Sequence, residues 1–242
     1  PDFMADRVYA PDVDFKENLV KSGKGFYSLE AKKPLKDFDL IGFSLQYELA
    51  YPTVLAMMQM AEIPVRNDER DENCPIVTAG GPCTFNPLPM TDFIDVFFIG
   101  DGENSIQEAC EVIKNAKAQG LSRVQKLQKI AEIEGAFVPS VHKSADGTYK
   151  RIKKSIVQIN YDNAQKSYPI PFSTSVQDRA TVEIRRGCGR MCRFCQPGHV
   201  TLPVRERSAE DIIKIARELV KNTGYDEYSL LSLSSNDYAN IK

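Results

Sequence analysis

The chain has 242 residues, 42% of them apolar, which is enough for a packed core in one large domain or two modest ones. Its 31 Lys and Arg nearly cancel its 33 Asp and Glu, leaving a net charge of -2, so overall charge argues for neither a polyanion nor a membrane partner. No apolar run approaches the roughly 20 residues that span a bilayer, and no basic-then-apolar leader opens the chain, so no membrane role and a cytoplasmic location are expected.

In chain order, residues 12–22 pattern as a short helix, and residues 39–45 follow as an apolar strand bounded by charge. Residues 51–61 form a helix with Pro52 in its first turn, where a missing N–H costs nothing. Residues 75–79 are the next strand, ending in Gly80-Gly81-Pro82. Residues 94–99 are another, ending in Gly100-Asp101-Gly102-Glu103. The helix after it carries Ile106, Ala109, Cys110 and Ile113 on one stripe, which makes Cys110 a core residue. An amphipathic helix over 123–132 leads to strand-like pieces near Phe137 and Ile156. Strand, glycine-bearing loop and helix in repetition predict an open parallel sheet with helices on its faces.

A polar stretch over 161–177, with Pro169 and Pro171, reads as a linker between domains 1–160 and 178–242. After it come a strand at 181–185, a cysteine loop, a helix from Ser208 and a strand at 229–233. Ser208 with Asp211 is a capping box, Ile212, Ile215, Ala216, Leu219 and Val220 form the apolar stripe, and Gly224 ends the helix. This is the opening unit of a βα barrel. A full barrel needs on the order of 200 residues, the chain does not begin with Met, and it stops soon after a strand. A fragment short at both ends, unable to turn over alone, is therefore expected.

Of six cysteines, three cluster in residues 186–198 (Arg-Gly-Cys-Gly-Arg-Met-Cys-Arg-Phe-Cys-Gln-Pro-Gly). That distribution suits a reducing compartment rather than a disulfide framework. Cys188, Cys192 and Cys195 stand as Cys-x3-Cys-x2-Cys on a loop between a strand and a helix. Three thiolates can hold three irons of a cubane and leave the fourth iron open to another ligand. Zinc is the alternative, since His199 would complete a Cys3His set in a zinc-stabilised interaction module. Cys83, beside the Gly-Gly-Pro turn, faces the expected pocket mouth as a lone thiol. Seven arginines between Arg179 and Arg207 make this end locally basic, suiting an anionic cofactor or substrate, RNA, or a solvated rim.

The cysteine loop, with Phe194 before the third cysteine, resembles that of the radical S-adenosylmethionine (SAM) superfamily. Asp178-Arg179, residues 183–188 (Glu-Ile-Arg-Arg-Gly-Cys), 192–198 and 203–208 (Pro-Val-Arg-Glu-Arg-Ser) resemble, more narrowly, a subfamily that fuses a cobalamin-binding-like domain to a radical barrel. The resemblance spans nearly the whole chain. It implies a flavodoxin-like α/β domain followed by the first βα units of a partial TIM barrel. It also implies a [4Fe–4S] cluster on Cys188, Cys192 and Cys195 that cleaves SAM reductively to a 5′-deoxyadenosyl radical. Methyl or methylthio transfer is the implied type of reaction, with an electron donor such as flavodoxin or ferredoxin.

By position, Phe194 would lie near the adenine, and Ser232, Ser234 and Ser235 resemble the place where the family holds the methionine amino group. Ser44, Leu45, Gly80, Gly81, Pro82, Gly100, Gly102 and Glu103 resemble the segments of cobalamin-binding domains that approach the corrin and its tail. The Asp-x-His-x-x-Gly segment that supplies a lower axial histidine is missing. Either cobalamin binds without a protein histidine, or the fold is kept without it. A cobalamin carrier or sensor is the third reading.

Overall fold

A computed structural model describes residues 3–172 and 176–241 and divides the chain into two compact units, Pro1–Ile156 and Val157–Lys242. Residues 173–175 of the expected linker, and residues 1, 2 and 242 of the expected domains, lie outside the described residues.

The first unit opens with α1 (Val13–Ser22), where Asp12 accepts from the Val13 N–H and left-handed Gly23 ends the helix. Then follow β1 (Leu40–Ser44), α2 (Tyr51–Met60), β2 (Ile76–Gly80), β3 (Val96–Phe98), α3 (Glu103–Ala118), α4 (Arg123–Ile130), β4 (Ala136–Phe137) and the one-turn α5 (Pro139–His142). The sheet order is β1-β2-β3-β4, and β1, β2 and β3 are parallel, with Leu40 opposite Ile76 and Thr78 opposite Val96. The piece expected near Phe137 is β4, which runs antiparallel to β3 and pairs Phe137 with Phe97. Near Ile156 there is no strand; Ser155 makes a single bridge to Gly100.

Strand periodicity builds three layers. Val77, Ala79 and Phe97 point to one core, with Val54, Met57 and Met58 of α2, while Ile76, Val96 and Phe98 point to the other, with Ala109, Ile113, Leu127 and Ile130 of α3 and α4. A strand buried on both faces reads as a continuous apolar run, and β2 and β3 do.

The second unit contains β5 (Ala180–Glu183), β6 (Arg185–Arg186), the one-turn α6 (Pro197–Val200), β7 (Arg205–Glu206), α7 (Ala209–Thr223) and β8 (Tyr228–Leu231). Strands β5 and β8 pair in parallel with α7 between them in sequence. Ala180, Val182 and Ile184 pack on Ile212, Ile215, Ala216 and Leu219. The α7 N-terminus is capped by Ser208, whose Oγ accepts from the Asp211 N–H at 3.1 Å, and Gly224 ends the helix with φ 77°. The segment expected to be a linker contributes to this core, because Tyr161, Ala164 and Tyr168 pack against it.

Among the described residues no helix is long and apolar enough to cross a membrane.

Candidate functional site

The three-cysteine loop springs from a feature that periodicity does not show. Strands β6 and β7 are two residues each and pair antiparallel, with Arg185 opposite Glu206 and Arg186 opposite Arg205. They close the base of the loop over 187–204. At that base Gly187 has φ 87°, and a Cβ there would stand 2.7 Å from the Thr201 oxygen and 3.0 Å from the Pro203 oxygen, so only glycine fits where the loop's two ends cross. Cys188 follows directly and is half-buried, as is Cys195, while Cys192 is exposed. The Cys195 N–H donates to the Cys192 oxygen at 3.0 Å, a turn that keeps the last two cysteines together.

His199 stands in α6 with Nε2 3.2 Å from the Cys192 oxygen. A carbonyl only accepts, so Nε2 carries the proton in this pair and is no metal ligand there. This arrangement removes the fourth donor that the zinc alternative needs from that nitrogen.

The loop after β8 faces the cysteine loop through an ion pair. Arg190, between the first two cysteines, donates from Nε to Asp237 Oδ2 at 2.7 Å and from Nη2 to Oδ1. Ser234 Oγ donates to the same carboxylate at 2.6 Å, and Ser232 and Ser235 hydroxyls lie 3.0 Å apart. The bonds from Arg190 and Ser234 hold the Asp237 carboxyl well below the usual range, so it stays ionised. All three predicted serines therefore gather at one strand end, together with two charged residues that the spacing did not single out. Phe194 is 93% exposed.

The basic character read from the seven arginines is largely internal. Arg185, Arg205 and Arg207 are buried. Arg205 donates to the Val157 oxygen at 2.6 Å, and Arg207 to the oxygens of Glu183 at 2.9 Å and of Asn160. Arg186 makes a bidentate pair with Glu183, 3.0 Å for each bond. Of the seven, Arg179 and Arg193 are exposed and have no paired carboxylate among the described residues.

In the first unit, the residues expected at the sheet's carboxyl ends divide in two. Gly81 has φ 100°, and a Cβ there would meet the Leu45 oxygen at 2.8 Å; Leu45 itself is buried. Gly100, also at φ 100°, lies under Ser155, whose oxygen would stand 2.2 Å from a Cβ. The freedom of these two glycines is taken up by the chain's own backbone. Gly80 and Gly102 face open space, Ser44 is exposed, and Pro82 and Glu103 are half-buried. Cys83 is buried against Tyr51; burial raises both groups, and the tyrosine, which also bonds the thiol, is pushed up to about 12. Cys110 is half-buried rather than core. His142 accepts the Val138 N–H on Nδ1 at 3.0 Å and stacks on Phe137.

Among the described residues no three His, Cys, Asp or Glu side chains converge on a point where a metal ion could sit. Cys188, Cys192 and Cys195 share one loop without forming a closed cage. Ligands on a short loop are drawn together by the metal itself, so donor chemistry is the relevant test, and three thiols on a loop pinned at its base fit a cluster.

Residues 1–139 match the family model described as radical SAM proteins, N-terminal. An uncharacterised protein of Methanocaldococcus jannaschii is 29% identical over 222 residues, covering 90% of this chain and 43% of that protein. The tRNA-2-methylthio-N(6)-dimethylallyladenosine synthase of Clostridium tetani is 34% identical over 89 residues, 37% of this chain and 19% of the synthase. The chain thus spans less than half the length of these relatives. Among solved structures, the radical SAM methyltransferase TsrM of Kitasatospora setae, with tryptophan and a SAM analogue bound, superposes with TM-score 0.54 at 13% identity over 95% of this chain and 41% of its own. A second TsrM structure, holding cobalamin and a [4Fe–4S] cluster, gives TM-score 0.51 at 12% identity over 86% of this chain and 39% of its own. This likeness extends to the fold alone: a parallel-sheet α/β unit followed by a second unit with a parallel βαβ arrangement.

Proposed function

Because the chain belongs to the radical SAM protein family that this N-terminal model describes, we propose that Cys188, Cys192 and Cys195 are the three ligands of a [4Fe–4S] cluster in an enzyme that cleaves SAM. The observation that carries this reading is the cysteine loop itself: three thiols at Cys-x3-Cys-x2-Cys, closed at the base by β6 and β7, with His199 Nε2 turned onto backbone. Bound there, the cluster supplies the electron that splits SAM into methionine and a 5′-deoxyadenosyl radical.

The chain's own residues then have separable tasks. Arg190, paired with Asp237, ties the cysteine loop to the loop after β8. Ser232, Ser234 and Ser235 would hold the methionine amino group, and Asp237, itself paired with Arg190, fixes the Ser234 hydroxyl. Phe194, exposed, is free to lie on the adenine. The carboxyl-end loops of β1, β2 and β3 would take cobalamin at Ser44, Gly80 and Gly102, held without an axial histidine from the described protein. The methylthio-transferring relative favours methyl or methylthio transfer to RNA, with a flavodoxin or ferredoxin as reductant.

Metal analysis and the visible spectrum of the anaerobically reconstituted full-length protein test this reading. Iron at about four per chain with a brown chromophore is expected, lost in Cys192→Ala and kept in His199→Ala. Zinc that leaves with His199→Ala contradicts it. Retention of a corrin spectrum through desalting tests the cobalamin site separately.

A further inference from the structure

A run of basic residues lies away from the cysteines. Between Lys143 and Lys154 the chain carries Lys143, Lys150, Arg151, Lys153 and Lys154 against a single acid, Asp146, in a protein of net charge -2. The segment is a built hairpin. Lys143 and Tyr149 bridge antiparallel, the Ser144 N–H donates to the Thr148 oxygen at 2.7 Å, and the Lys150 N–H donates to the His142 oxygen at 2.9 Å.

Asp146 does not neutralise the lysines. Its Oδ1 accepts from the Thr148 hydroxyl at 2.7 Å and the Thr148 N–H at 3.0 Å, bonds that hold its carboxyl below the usual range and fix the turn. Beyond the turn, Ile152 packs inward and the flanking Arg151 and Lys153 face solvent. Lys150 and Arg151 form no ion pair among the described residues, while Lys153 meets Glu134 at 2.8 Å in an exposed pair worth little.

Two half-buried rings lie beside the end cations, and Tyr149 also packs edge-on to Phe137. Lys143 sits 6.0 Å from the Tyr149 ring centroid and Lys154 5.8 Å from that of Phe85. The chain then runs into Ser155, bridged to Gly100 beyond the carboxyl end of β3, and Phe85 follows the carboxyl end of β2. This is the edge of a parallel sheet at which ligands bind. A row of exposed basic residues, of which Lys150 and Arg151 meet no carboxylate among the described residues, suits a flexible polyanion.

We propose that the hairpin over 143–154 is an RNA-binding surface, with Lys150, Arg151 and Lys153 on phosphates. The proposal rests on the reading of RNA as substrate class and adds where the RNA is held.

The test is binding of a labelled total tRNA fraction to the full-length protein over a salt series, for wild type and for Lys150→Ala/Arg151→Ala/Lys153→Ala. Each phosphate contact contributes about 0.7 to the slope of log affinity against log salt. The triple variant is expected to bind about tenfold more weakly or worse at fixed salt, with a slope shallower by about 2, at unchanged iron content and melting temperature. The Lys150→Arg/Lys153→Arg variant should bind as wild type does. A triple variant that binds as wild type does overturns the hairpin and leaves RNA as substrate. A wild-type protein that carries iron but binds no tRNA overturns both, leaving the radical chemistry standing. Binding to phosphatidylserine vesicles in place of tRNA also overturns the proposal.

Discussion

The chain's two basic regions use positive charge in opposite ways. Around the cysteine loop, guanidinium groups face inward: Arg185, Arg205 and Arg207 are buried and end on backbone oxygens or carboxylates. Arg70 and Arg123 do the same in the first unit, where both meet Asp95. No described lysine is buried, and the hairpin over 143–154 keeps its lysines in or near water. The division follows from the side chains. A planar fork with five donors can satisfy several carbonyls at once, whereas an ammonium is more strongly hydrated and costly to bury. Charge counted along the sequence is therefore a poor guide to charge shown to a partner.

The largest expected effect comes from breaking an arginine hub. Asp95 Oδ2 accepts from Arg70 at 2.9 Å, Arg123 at 2.7 Å and the Val77 N–H at 2.7 Å. Asp95→Ala leaves two buried cations without their anion and should cost about 3–5 kcal/mol in denaturant unfolding. Arg207→Ala should cost less, about 2–3 kcal/mol, by unpairing the Glu183 and Asn160 oxygens at the base of the cysteine loop. If it is neutral, the buried arginines of the second unit are not struts.

A smaller effect depends on pH. Burial, aided by the charge of Lys150, lowers the His142 pKa below its ordinary value. The fold favours the neutral ring, so its stabilising contribution is full above about pH 6.5 and is lost as pH falls below that. Melting temperatures should decline on acidification through this range, and His142→Asn should flatten that part of the decline. The smallest effect belongs to the hairpin: Lys150→Ala and Arg151→Ala should each change stability by under about 0.5 kcal/mol. A cost near that of Arg207→Ala would mean that the two regions do not differ.

Elements with strong periodicity were legible from sequence. Helices α1, α2, α3 and α7 and strands β1 to β3 follow apolar spacing and caps at Asp12, Ser208 and Gly224. Two-residue strands have no period to detect, so β6 and β7 were invisible until Arg185 was seen opposite Glu206. The stretch with Pro169 and Pro171 reads as linker because its tyrosines are spaced too irregularly to suggest packing, yet Tyr161 and Tyr168 join a core.

At the site, the cysteine spacing could be read directly, whereas the serines after β8 came from the family resemblance alone. The Arg190–Asp237 pair could not be read, because 47 residues separate its partners. The hairpin's charge was in plain view as Lys-Arg-Ile-Lys-Lys over 150–154; the turn bonds that occupy Asp146 were not.

The most direct test of the central claim is 5′-deoxyadenosine formation by the reduced, reconstituted full-length protein supplied with SAM. Wild type should form it, and Cys188→Ala, Cys192→Ala and Cys195→Ala should each abolish it while tRNA binding persists. A cysteine variant that still cleaves SAM, or a fully iron-loaded wild type that does not, would contradict the assignment of these three residues to an open-iron cluster.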